Sequence, residues 1–213
     1  MTRVLLADDH AIIRDGVKQI LADTDDLVVA GEAANGAEVL KLIAEQHWDL
    51  LVLDISMPGK SGLELIKLVR QEKPRLPILI FSMHQEEQYA LRALHAGAAG
   101  YLTKESDSEV LIAAMRKVAA GGVHVSEKVA QLLARERMPN KDELPHTRLS
   151  NREFQIFEKI VAGVRLTDIA DELNLSIKTV STHKSRILQK MGMSSDTELV
   201  RYAIAKGLAT MPE

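Results

Sequence analysis

Three short stretches of unbroken apolar residues punctuate the first 120 positions: Val4-Leu5-Leu6-Ala7, Leu50-Leu51-Val52-Leu53 and Ile78-Leu79-Ile80-Phe81. Four apolar residues without alternation are the pattern of a strand buried on both faces of a parallel sheet. Leu27-Val28-Val29-Ala30-Gly31 and Ala99-Gly100-Tyr101-Leu102 carry the same pattern more weakly and predict two further strands. Between them the apolar residues recur at helical spacing. Ile12, Ile13, Val17, Ile20 and Leu21 form one stripe, Val39, Leu40, Leu42 and Ile43 a second, and Leu63, Leu65, Ile66, Leu68 and Val69 a third. Residues 86–96 and 107–120 supply a fourth and a fifth helix. Five strand–helix units in succession predict an α/β fold, a five-stranded doubly wound parallel sheet over residues 1–121.

The pattern then changes. Gly121-Gly122 ends a helix, residues 127–137 predict one more short helix, and Met138 to Thr147 gathers Pro139, Asn140, Pro145 and several charges. Residues 122–147 therefore read as a linker. From 148 to 213 the spacing is helical throughout, with segments near 150–162, 166–173, 177–190 and 195–206. This predicts a small all-α domain. Ser150 with Glu153 three residues on is a capping box, and Ser176 and Ser194 or Ser195 are N-cap candidates.

Composition narrows the picture. A length of 213 residues suits two modest domains, and 46% hydrophobic with 27% charged residues excludes a largely disordered chain. No apolar run approaches the ~20 residues of a membrane helix, and Met1-Thr-Arg leads straight into a strand and two aspartates rather than a signal peptide. No membrane partner is expected. The absence of cysteine excludes disulfides, thiolate metal sites and cysteine nucleophiles, and fits a reducing cytoplasm. The net charge of −3 hides an asymmetry: residues 1–120 hold 13 Lys and Arg against 18 Asp and Glu, whereas 148–213 hold 10 against 8. A mildly basic tail behind an acidic front hints at nucleic acid.

Ligands of an open parallel sheet bind outside the carboxyl ends of its strands. Asp8 and Asp9 follow the first predicted strand, Asp54 the third, Ser82 the fourth, and Lys104 the fifth. Three carboxylates in one crevice repel each other, and a hard, oxygen-seeking divalent cation such as Mg²⁺ would offset them. That cation and the lysine around one carboxylate make a site for a phosphoryl group.

Asp8-Asp9, Asp54 within Asp54-Ile-Ser-Met-Pro-Gly-Lys-Ser-Gly62, Ser82, and Lys104 within Tyr101-Leu-Thr-Lys104 resemble the receiver domain of two-component response regulators over residues 1 to ~120. The resemblance implies a flavodoxin-like receiver in which Asp54 accepts a phosphoryl group from a sensor histidine kinase. It implies Mg²⁺ held by Asp8, Asp9, Asp54 and the backbone carbonyl of Ser56. Ser82 would hydrogen-bond the phosphoryl group, Lys104 would pair with it, and Tyr101 stands at the aromatic switch position. Lys60, Ser61 and His84 lie close by and are expected to be solvated.

The tail carries its own chemistry. Lys178-Thr-Val-Ser-Thr-His-Lys-Ser-Arg-Ile-Leu-Gln-Lys190 holds four cations and no acid, interleaved with hydroxyls. Val180, Ile187, Leu188 and Met191 supply an inward stripe, so the cations and hydroxyls mostly face out, as a major-groove helix requires. Thr167 to Leu173 precedes it across Asn174-Leu-Ser176, a helix-turn-helix spacing. Leu149-Ser-Asn-Arg-Glu153, Ile169-Ala170 and Ser176-Ile-Lys-Thr-Val-Ser-Thr-His183 resemble the LuxR-type DNA-binding domain of NarL/FixJ-type response regulators. Arg165-Leu166-Thr167 departs from the Ser-Asn-Lys common there, which puts backbone contacts from that turn in doubt. The resemblance makes 177–190 the recognition helix. Ser181, Thr182 and Ser185 are expected at base edges, and Lys178, Thr179, Lys184 and Arg186 near phosphates. Residues 195–206 resemble the dimer helix, with Leu199, Val200 and Ala203 as candidate contacts that core packing explains equally well.

The expectation is a phosphorylation-controlled transcription factor, homodimeric when phosphorylated and binding promoter half-sites of double-stranded DNA. It would accept a phosphoryl group rather than turn over a substrate, with at most its own phosphorylation and dephosphorylation to catalyse. Two other readings compete. A haloacid-dehalogenase-like phosphatase also uses Asp and Mg²⁺ at strand ends, but its second aspartate would fall on His10. A regulator that never takes phosphate could use the receiver only to dimerise.

Overall fold

The computed structural model describes residues 1–57, 62–136 and 144–208. Pro58, Lys60, Ser61 and the linker segment 137–143 lie outside them. The chain divides into two compact units, Met1–Met138 and Pro139–Glu213.

In the first unit, strands β1 (Thr2–Ala7), β2 (Leu27–Ala33), β3 (Leu50–Leu53), β4 (Ile78–Ser82) and β5 (Gly100–Thr103) form one sheet in the order β2-β1-β3-β4-β5. Every pairing is parallel. Helices α1 (Ala11–Ala22), α2 (Gly36–Glu45), α3 (Gly62–Glu72), α4 (Glu86–Ala96) and α5 (Ser108–Ala119) make the crossovers. Alternation along each strand splits the apolar runs between two faces. Val4, Leu6, Leu50, Val52, Leu79, Phe81 and Leu102 pack with Val17 and Leu21 of α1 and Leu111, Met115 and Val118 of α5. On the other side α2 packs on α3, and α3 on α4. The expected doubly wound sheet is present, and burial on both faces is why its central strands lack alternation.

One predicted core position is corrected. Ile12, placed in the inward stripe of α1, is 79% exposed, while Val17 and Leu21 carry the buried face. Ile13, Val17, Ile20 and Leu21 share one face of the helix, and Ile12 sits about 100° round from Ile13, off that face.

The segment read as the start of a linker packs on the first unit. His124 forms a parallel bridge to Gly100, donating its N–H to Ala99 O at 3.0 Å and accepting from Tyr101 N at 3.1 Å. A Cβ on Gly100 would meet His124 O at 2.9 Å, so the approach needs glycine. Helix α6 (Glu127–Glu136) then packs on α4 and buries Val129 completely.

The second unit holds α7 (Asn151–Val161), α8 (Leu166–Glu172), α9 (Ile177–Met191) and α10 (Asp196–Ala205), preceded by a 3₁₀ turn over Pro145–Arg148. Phe154, Ile156, Phe157, Ile160, Ile169, Val180, Ile187, Met191, Leu199 and Ala203 make its core. The Ser150–Glu153 capping box is formed, and Ser176 and Ser195 cap α9 and α10. The 3₁₀ turn lies inside the sequence read as linker. Pro145 starts it, and His146 Nδ1 lies 2.8 Å from the Tyr202 hydroxyl, tying the turn to α10.

Gly62 opens α3 so close to the Asp54 loop that a Cβ would lie 2.3 Å from Ile55 Cα, a backbone atom that cannot swing aside. Gly62→Ala is expected to lower stability by about 1–3 kcal/mol, read from urea denaturation. A variant with unchanged midpoint would contradict the packing described.

Candidate functional site

The strand register lines up the carboxyl ends of β1 and β3, with Ala7 paired to Leu53. Asp8 and Asp54 are therefore the next residues on adjacent strands, and the Asp54 N–H donates to Ala7 O at 2.8 Å. Both carboxylates are buried. Lys104, just beyond β5, reaches across β4 with a side chain only 3% exposed. Its Nζ lies 2.6 Å from Asp8 Oδ2 and 2.7 Å from Asp54 Oδ2. The Lys104 N–H donates to Ser82 O at 2.9 Å, which fixes the turn that delivers the ammonium. The remaining Asp54 oxygen, Oδ1, accepts from Ser56 N at 2.9 Å.

Burial alone would pull the Lys104 pKa down, but hydrogen bonds and charge from Asp54 and Asp8 outweigh it and hold it above the usual lysine value. A raised lysine pKa contributes stability that is complete below about 10.4 and is lost only as pH rises through the folded-state value. The bridge is thus intact throughout acidic and neutral pH on the lysine side.

Asp8, Asp9, His10 and Asp54 bring ligand atoms within 4.8 Å of one another. His10 belongs to the pocket although no role was expected for it: its Nδ1 sits 2.9 Å from Asp9 Oδ1 and 3.3 Å from Asp8 Oδ1. Its position directly after two pocket aspartates was the available signal. Arg14, one turn along α1, donates from Nη1 to Asp8 O at 2.7 Å and pairs with Glu32.

Ser82 is fully buried at the end of β4, and its Oγ accepts from His84 N at 3.3 Å. Tyr101 is buried as well and donates its hydroxyl to His84 O at 2.9 Å. The two predicted switch residues thus meet at one residue of the β4–α4 loop. His84 also stacks on Tyr89 of α4, with ring centroids 4.4 Å apart.

In the second unit, α8 and α9 join through Asn174, whose φ of 52° places it in the left-handed region that asparagine tolerates. Arg152 of α7 donates to Leu173 O at 2.7 Å and so secures this turn. Along α9, Lys178, Thr182, Ser185 and Arg186 are exposed, while Thr179, Ser181 and Lys184 are half-buried. Thr182 and Ser185 donate their hydroxyls to the carbonyls of Lys178 and Ser181. Thr179 belongs to the helix cap, with its N–H and hydroxyl both on Ser176 Oγ. Lys184 is paired with Asp196 at 2.5 Å and Lys190 with Glu153 at 2.6 Å, so two of the cations expected to face out are engaged within the unit. Arg165 pairs with Asp168. His183 is half-buried with Nδ1 lacking a hydrogen-bond partner, and burial first, then Arg186, Arg152 and Lys190, keep its pKa below the usual value against the pull of Glu153.

Of the three residues expected on a dimer face, Leu199 and Ala203 are fully buried in the unit's own core. Only Val200 is partly exposed. Core packing accounts for Leu199 and Ala203.

Two predictions follow from these charges. Lys104→Met would leave Asp8 and Asp54 facing each other without a countercharge and should cost about 3 kcal/mol in EDTA, whereas Asp54→Asn should stay within about 1 kcal/mol of wild type. Equal losses in urea denaturation would contradict the bridging role. Burial would raise the Glu153 pKa, but Lys190 and the Ser150 bonds prevail and lower it. Glu153→Gln should therefore cost about 1 kcal/mol at neutral pH, allowing for solvent around Lys190. A lowered acid pKa contributes fully above about 4.3 and loses its contribution as pH falls through the folded-state value, so the deficit should shrink there. A deficit independent of pH would contradict it.

Comparison with known proteins agrees with both units. The family model described as "Response regulator receiver domain" matches residues 4–116, and that for "Bacterial regulatory proteins, luxR family" matches 147–203. The response regulator GacA of Pseudomonas aeruginosa is 37% identical over 98% of each chain. The structure of RcsB from Salmonella enterica serovar Typhimurium, bound to promoter rprA with the phosphomimetic BeF₃⁻, is similar at 25% identity. That likeness has a TM-score of 0.68 and covers 95% of this chain and 98% of RcsB. A second RcsB structure, two dimers on two parallel DNAs, is 28% identical with a TM-score of 0.58, covering 94% and 96% of the two chains. The chain belongs to the response regulators of the NarL/FixJ type, which join a receiver domain to a LuxR-type DNA-binding domain.

Proposed function

We propose that Asp54 accepts a phosphoryl group from a sensor histidine kinase and that this event controls sequence-specific DNA binding and transcription by the second unit. The observation that carries the reading is the buried Asp54 carboxylate, 2.7 Å from Lys104 Nζ and beside Asp8 at the carboxyl edge of the sheet. The donor set fits Mg²⁺, because hard carboxylate oxygens outnumber the single ammonium that faces them. Asp8, Asp9 and Asp54, with the Ser56 carbonyl, would hold the ion. When bound it would supply positive charge to the oxygens of the transferring group.

The chain's own residues do the rest. An Asp54 oxygen attacks phosphorus as the phosphorus–nitrogen bond of the phosphohistidine breaks, and the imidazole leaves with the electron pair. Lys104 exchanges its bond to the carboxylate for one to a phosphoryl oxygen. Ser82 turns its hydroxyl to donate to the same group. That motion pulls on the His84 N–H, and the His84 carbonyl holds the Tyr101 hydroxyl. Tyr101 in turn donates its backbone N–H to His124, ahead of α6. Hydrogen bonds thus link Ser82, through His84 and Tyr101, to His124, three residues ahead of α6.

In the second unit α9 serves as recognition helix. Ser181, Thr182 and Ser185 approach base edges while Lys178, Thr179 and Arg186 approach phosphates, and Lys184 joins them when its pair with Asp196 opens. The RcsB structures on DNA support this reading and a homodimer on paired half-sites. Among the described residues no helix is long and apolar enough to cross a membrane, which accords with a cytoplasmic regulator.

Intact mass after incubation with acetyl phosphate and Mg²⁺ tests the phosphoryl step. One added phosphoryl group is expected on the wild type, and none on Asp54→Asn or in EDTA. The same adduct on Asp54→Asn would overturn the assignment.

A further inference from the structure

The outer face of α9 is built from cations and hydroxyls, yet its first residue is neither. Ile177 opens the helix with 52% of its surface exposed. It is no part of the core, since Val180, Ile187 and Met191 carry the buried stripe. Helical spacing places it in one row with Ser181 and Ser185, four and eight residues on, and beside exposed Lys178. No apolar neighbour on that row extends it into a patch that a hydrophobic protein partner would cover.

The polar groups around Ile177 are already committed. Ser176 accepts from Thr179 N at 3.1 Å and shares a 2.8 Å hydroxyl contact with the same residue. Thr182 and Ser185 donate to carbonyls of their own helix, so they present acceptor lone pairs outward. The face therefore offers oxygen acceptors, long cations and one aliphatic group at its leading end. Duplex DNA complements this combination: phosphates for Lys178 and Arg186, exocyclic amines for the hydroxyl oxygens, and the thymine C5-methyl as the apolar feature of the major groove. The N-terminal residues of a recognition helix are those that reach base edges.

We propose that Ile177 is a specificity-determining residue that packs on the C5-methyl group of one thymine in each half-site. This rests on the reading of α9 as the recognition helix. Thr182 and Ser185 set the approach of the helix, and Ile177 selects thymine at the position its side chain covers.

The test uses the full chain treated with acetyl phosphate and Mg²⁺. Duplexes are first selected from a random library with the wild type. Each thymine of the selected site is then replaced singly by deoxyuridine, which lacks only the methyl group. One thymine per half-site should cost the wild type about fourfold in affinity on replacement, the worth of one buried methyl. Ile177→Ala, which removes the contact from both half-sites, should bind the thymine duplex about fifteenfold more weakly and be indifferent to that replacement, while Ile177→Val should keep part of the preference. Thermal midpoints should be unchanged, because the side chain is outside the core. An equal deoxyuridine cost in wild type and Ile177→Ala, or no thymine that costs the wild type anything, would overturn the inference and leave DNA reading intact. A wild type that selects no duplex would overturn both.

Discussion

The ammonium of Lys104, sealed between the carboxylates of Asp8 and Asp54, is the interaction on which the receiver depends. Taking three charged groups out of water is expensive, and the two carboxylates would be intolerable there without the ammonium between them. Their positions come from three separate strands, so the pairing holds only while the ends of β1, β3 and β5 stay level. The sheet supplies that rigidity through strands buried on both faces. The bridge still leaves the crevice with more negative than positive charge, which is the condition that invites a cation and then a phosphoryl group.

The same economy of groups recurs in the second unit. Glu153 closes the capping box of α7 and anchors Lys190 at the far end of α9. Arg152, its neighbour, secures the turn between α8 and α9. One short motif, Leu149 to Glu153, thereby orients α9 and the turn that precedes it. The cations of α9 divide accordingly: Lys190 and Lys184 serve the fold as it stands, and Lys178 and Arg186 remain exposed on the outer face.

Much of this was legible in the sequence, for identifiable reasons. Strands buried on both faces lose their alternation, so β1, β3 and β4 stood out as unbroken apolar runs. Asp8, Asp54, Ser82 and Lys104 could be gathered into one crevice because parallel topology sends every strand end to the same edge. What the sequence hid was whatever depends on partners distant along the chain. Nothing local distinguishes Lys184 paired to Asp196 from a lysine awaiting phosphate. A helical wheel does not tell a core stripe from a dimer stripe, and Leu199 and Ala203 proved to be core. Ile12 lies outside the core because the inward stripe of α1 runs through Ile13, Val17 and Leu21, one residue off it. The 3₁₀ turn at Pro145 and the docking of His124 on β5 were read as linker because proline, glycine and charge dominate those segments.

The central claim is that chemistry at Asp54 governs DNA binding by the second unit. Its most direct test is the affinity of the full chain for one selected duplex, measured before and after acetyl phosphate treatment, in wild type and Asp54→Asn. The account predicts a clear gain in affinity for the wild type alone. Equal affinities in all four samples, with the wild type fully phosphorylated, would contradict it.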